Sequence, residues 1–312
     1  MKLSTKLLAS LVAAAVVPAA AVGLVTWTSS GKLEDKIGED LQSSATVAIE
    51  TIERNLFERY GDVQAFGLNR AVLDRAQWYR RDGDSSIVRS MDDYVACYGI
   101  YELTLLVDTA GKVIAVNSRD AAGEPIETDF IYEQSFADAD WFRDALAGNF
   151  LESAELDGTV VEDVRFDPLV EKVHGPERGL VIGYSAPVRD ESGQVVAVWK
   201  NFASWDIVED VVAQTQQRFA EKGWPKTEVT LLDRNGVVWV DCDPTVHGKP
   251  VNDDRNVIGK LNLAAKGVAS AQSAIAGTDG FGRSVHARKQ VNQFGGWSRS
   301  VGALGYEGLN WS

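Results

Sequence analysis

A chain of 312 residues, 45% apolar and 24% charged, has the composition of a fold that lives in water but exceeds what one hydrophobic core organises, so an anchor plus two modules is expected. The formal charge of −14 leaves no basic surface to neutralise phosphates and argues against nucleic acid as a partner. Cys97 and Cys242 make no CxxC pair and His174, His247 and His286 stand apart, so no metal or cofactor site is legible and both thiols are expected to be free and buried.

After Lys2 and Lys6, residues 7–27 carry no charge. About 20 residues at ~1.5 Å each cross a ~30 Å hydrocarbon core, which makes this stretch a transmembrane helix by expectation. No Lys or Arg follows until Lys32, so the positive-inside rule leaves residues 1–6 as a cytoplasmic tail and puts the body of the protein outside the inner membrane. A cleaved signal peptide is the competing reading, because residues 13–21 are rich in alanine. The length of the span and Trp27 at an interface favour the anchor.

From Leu33 the apolar residues Ile37, Leu41, Ala45, Ala48, Ile52, Leu56, Tyr60, Val63 and Phe66 recur every three or four positions. The spacing predicts one amphipathic helix of about 40 residues, assigned to 30–75, either simply a long core helix or one with a stripe for a sheet and a second for a dimer mate, the version that direct attachment to the anchor favours.

Strands follow. Leu103 to Val116 alternates around Asp108-Thr-Ala-Gly111, and about 125 residues on Val229 to Val240 repeats the pattern around Asp233-Arg-Asn-Gly236. Tyr184 to Trp199 forms a third hairpin around Asp190-Glu-Ser-Gly193, and Phe202 to Gln217 reads as a connecting helix. The chain closes with a helical run near 257–276, a strand at 283–289 and a last pair at 297–301 and 308–311. The fold class is α+β, with modules at 76–217 and 218–312.

Anchor, long helix, repeated hairpins and the terminal phrase Gly305-Tyr-Glu-Gly-Leu-Asn-Trp311-Ser together resemble the double Cache sensor domains of bacterial methyl-accepting chemotaxis receptors and sensor kinases. The resemblance covers about 7–312. It implies two tandem PAS-like antiparallel sheets, a small-molecule ligand in the membrane-distal module, a homodimer, and a second membrane helix that this sequence stops short of. The sensor of a histidine kinase or diguanylate cyclase, or a cell-surface scaffold, are the alternatives. No nucleophile elbow, HExxH or phosphate-cradling loop is present, so an enzyme is not expected.

The segment Phe136-Ala-Asp-Ala-Asp-Trp141-Phe142 is similar to the Cache segment whose Trp and following aromatic line the ligand. Amino-acid binders of that family carry Arg two residues before the Trp and Asp on the last distal strand; here Ala139 and Phe202 or Asn201 stand there. The expected pocket is therefore Tyr132, Trp141, Phe142, Asp163, Arg165, Tyr184, Trp199 and Asn201. An aromatic box with one acid suits an amine, and Arg165 suits a small organic acid; both are favoured over ordinary amino acids.

Overall fold

The computed structural model describes residues 3–81, 85–154, 156, 158–245 and 251–312, with most side chains before residue 31 outside that description. Helix α1 runs unbroken through Leu3–Gly67. Its buried residues Ile49, Ile52, Leu56, Tyr60, Val63 and Phe66 keep the spacing read from the sequence, and they cover one face of a sheet. The helix stops at Gly67, short of the expected residue 75, because Asn69 turns away and caps a new one: its side chain accepts from the Ala71 amide and starts α2, Arg70–Leu73. Helix α3, Ser86–Tyr98, is capped by Ser85 and ended by left-handed Gly99.

Strands β1 (Tyr101–Asp108) and β2 (Val113–Val116) precede α4, Asp140–Ala147. Strand β3 (Val160–Phe166), helix α5 (Pro168–His174), strands β4 (Leu180–Arg189) and β5 (Val195–Ser204), and helix α6 (Asp206–Glu221) follow. The five strands form one antiparallel sheet in the order β2-β1-β5-β4-β3. Phe202 belongs to β5, so the connecting helix begins later than the sequence indicates.

The turns between strands share one local chemistry. Asp108, Asp190 and Asp233 each accept from the backbone amides two and four residues on. The glycine three residues on then takes a φ of 83–84°, a conformation open to glycine at little cost.

The second half departs from expectation. Strands β6 (Val229–Leu232) and β7 (Val238–Cys242) pair with each other, helix α7 is confined to Ala269–Ile275, and β8 (Gly280–Val285) pairs with β9 (Asn292–Trp297). Among the described residues these are separate two-stranded sheets. The final pair is reduced to isolated bonds: the Ser300 amide donates to the Trp311 carbonyl, and Leu232 and Ser312 exchange bonds at 2.7 and 2.9 Å.

Among the described residues no helix is long and apolar enough to cross a membrane. The span expected at 7–27 falls almost wholly on side chains outside the description. Cys97 is exposed and Cys242 buried, both free; the expectation that both are buried fails for Cys97, which lies near the solvent-facing end of α3.

Candidate functional site

The central strand β5 decides which side chains can meet. In a pleated strand alternate residues face opposite sides, and here Trp199, Ala197 and Ala203 join the core beneath α1, while Val198 and Phe202 join a separate core beneath α4. Tyr184 on β4 also faces α1. Of the expected pocket, Tyr132, Trp141 and Phe142 share the α4 face.

Trp199, Asn201, Tyr184 and Asp163 lie elsewhere, while Arg165 stands opposite Val181 of the α4-side core. The Trp199 indole donates to Thr104 and Asn201, both at 2.8 Å, and its ring meets Phe66 of α1 edge-on at 5.9 Å. Asn201 is thereby held on the α1 side, accepting also from the Thr104 hydroxyl at 2.7 Å. Burial pushes the Tyr184 phenol well up, and its hydroxyl is enclosed without a hydrogen-bond partner. Asp163 accepts from the Trp311 indole at 3.0 Å and from Arg234 at 3.3 Å, so it ties β3 to the end of the chain; burial raises its carboxyl. Arg165 is engaged by Glu162 and by Asp167 at 2.8 Å.

The residue that sequence reasoning missed is Lys200. It lies opposite Leu105 of β1 and Ser185 of β4, on the α4 face, and its side chain is 0% exposed. Its ammonium stands 5.2 Å from the Trp141 ring centre and 5.1 Å from that of Phe202, in contact with the Glu162 carboxylate. Gly183 makes room for this pair, since a Cβ there would overlap both the ammonium and the carboxylate. Burial pushes the Lys200 pKa well below the usual lysine range, and Glu162 opposes that by favouring the charged form.

Around the pair, the Ser185 hydroxyl is buried without a hydrogen-bond partner among the described residues. Trp141 packs against Phe136 and Phe142 at 5.5 and 5.8 Å. Tyr132 closes the far side; the Val116 amide donates to its hydroxyl at 3.4 Å, and burial pushes its pKa up to about 12. Ala139 stands at the N-terminus of α4 without a side-chain capping bond. The result is an aromatic enclosure around one cation and one shared carboxylate.

The described residues also bring Glu228, Asp243 and His286 within 4.8 Å of one another, a grouping the sequence does not reveal. The Lys289 ammonium already binds Glu228 and Asp243 at 2.5 and 2.8 Å and competes with any other cation for these acids.

No family model and no curated protein matches this chain. Solved structures do. The ligand-binding domain of the Pseudomonas aeruginosa PAO1 amino acid chemoreceptor PctC, in complex with GABA, aligns at a TM-score of 0.54 and 15% identity over 88% of this chain and 96% of that one. That of the Campylobacter jejuni chemoreceptor Tlp3, in complex with L-norvaline, aligns at 0.55 and 14% over 84% and 86%. That of the Pseudomonas fluorescens chemoreceptor CtaA, in complex with L-leucine, aligns at 0.50 and 12% over 88% and 92%. The chain thus has the fold of chemoreceptor ligand-binding domains.

Proposed function

We propose that this chain is the extracytoplasmic sensor of a membrane-anchored chemoreceptor and binds a small carboxylate on the α4 face of its five-stranded sheet. The observation that carries the reading is Lys200. A fully buried ammonium is costly, and among the described residues this one has a single counter-ion, Glu162, which it shares with Arg165. A second carboxylate is what the enclosure lacks.

The same geometry ranks the ligand classes. An amine would need the cation position between Trp141 and Phe202, and Lys200 holds it. A small organic acid instead gains an ammonium, the free Ser185 hydroxyl and aromatic walls. The shared fold with PctC, Tlp3 and CtaA supports the sensor role.

Residues 7–27 as anchor, 30–75 as the helix of a homodimer, and modules at 76–217 and 218–312 complete the reading. Ligand closure on α4 biases a two-state equilibrium of the sheet against α1, which covers its other face.

The test is a thermal-shift screen of the full chain against mono- and dicarboxylates, amines and amino acids. A carboxylate is expected to raise the melting temperature by linkage, Lys200→Met to abolish that rise, and Trp199→Phe to leave it. A response to amines alone, or an unchanged response in Lys200→Met, would remove the proposal.

A further inference from the structure

We infer that the second half of the molecule carries another binding site, for an uncharged, largely apolar small molecule, in the space between α1 and the β6–β9 region. A cavity of about 700 Å³ lies there, inside the roughly 300–1,000 Å³ range of small-molecule sites. Interiors are close-packed, and a void this large between apolar walls is unusual unless something fills it.

The cavity lies where α1 leaves the main core. Ile49 and Ile52 belong to the main core. One to three turns earlier, Ile37, Leu41 and Ala45 border the cavity, as Ile49 and Ile52 also do, and among the described residues the core of the second half, built on Leu232, Val238, Ile258 and Ala271, includes no residue of α1. The apolar stripe continues beyond the side chains that would cover it. Opposite it stand Trp224 and Trp297, both lining the same space.

The walls cannot simply collapse inward, because backbone contacts space them. Gly296 of β9 lies so close to Leu41 and Gln42 that a Cβ would overlap their backbone, and the Phe281 ring lies against Gly38.

Chemistry at the polar end sets the ligand class. His286 is bonded to Glu228 at 2.8 Å, and Arg288 to Asp241 at 2.8 Å. Among the described residues these four are paired, the exposed Lys226 adds one cation, and apolar side chains make up most of the lining. What the space offers is apolar and aromatic surface, with α1 itself as one wall. An occupant here touches α1 directly, whereas one beside Lys200 is separated from it by the sheet.

Photolabelling of the full-length chain with a neutral aryl diazirine, read by peptide mapping, tests the inference. Saturable labelling is expected on the peptides containing Leu41, Trp224 and Trp297. Ala45→Trp and Ala271→Trp fill the space and should lower labelling of the remaining walls at least fivefold, while the thermal midpoint is kept. Leu41→Asn, at a half-buried position, should lower it several-fold should either Trp variant fold poorly. Lys200→Met should label like the parent, which separates this site from the one under α4. Labelling that does not saturate, that persists in the filled variants, or that falls as protein concentration rises, as it would if a second copy covered the space, overturns the inference.

Discussion

The ammonium of Lys200 and the indole of Trp141 face each other at 5.2 Å, one from the middle of the central strand and one from the first turn of α4. The pairing places a cation of the chain's own where an aromatic enclosure would hold a ligand's cation. It also makes the protonation of Lys200 responsive to whatever anion enters.

Burial alone lowers the Lys200 pKa, and a bound carboxylate favours the ammonium and raises it. Carboxylate binding is therefore expected to take up protons. Calorimetry in buffers of different ionisation heat measures the uptake, and Lys200→Met should reduce it to zero.

Glu162→Gln strips the buried ammonium of its counter-ion. Leaving one partner of such a pair alone costs about 3–5 kcal/mol, visible as a lower urea midpoint. Lys200→Met should cost less, because Glu162 retains Arg165.

Glu53 lies on α1, 1% exposed, and accepts from the Ser300 hydroxyl. Burial raises its pKa from 4.5 to about 6 despite that bond. The folded state keeps the proton longer than the unfolded one, so this contribution is whole below pH 4.5 and is lost as pH rises through 6. Loss of about 2 kcal/mol between pH 4 and pH 8 is expected. Glu53→Gln should flatten that part of the profile in denaturant titrations across pH.

Trp199→Phe removes the donor to Thr104 and Asn201 in a closed core. A cost of about 1–3 kcal/mol is expected by chemical denaturation, with ligand affinity unchanged because the indole faces α1.

Two glycines with the same φ separate strain from collision. Gly193 has open space around a built Cβ, whereas at Gly111 that atom would strike the backbone of Ala137. Gly193→Ala should cost about 1–2 kcal/mol, the price of a left-handed residue, and Gly111→Ala clearly more, compared by melting temperature.

What could be read from the sequence was local. The Asp-x-x-Gly turns at Gly111, Gly193 and Gly236 need only neighbouring residues, and the α1 stripe from Ile49 to Phe66 needs only its own period. The side to which each residue of β5 points was not legible, because both faces of that strand are covered and nearly every residue is buried. Without alternation of apolar and polar residues, Trp199 and Asn201 were indistinguishable from Lys200 and Phe202. Strand β3 was hidden by its charges, Glu162, Asp163 and Arg165, of which Glu162 and Asp163 answer to partners far along the chain. Strands β8 and β9 were displaced in the reading because Gly280, Gly282, Gly295 and Gly296 weaken any strand pattern. Gly296 admits the α1 backbone and Gly280 the Trp297 ring.

Glu162 and Asp163 are consecutive residues. The first belongs to the Lys200 pair, and the second holds Trp311 and Arg234. They sit on the edge strand β3, paired with β4, at an irregularity in its register. One dipeptide thus carries two ties, one to the enclosed ammonium and one to the last residues of the chain.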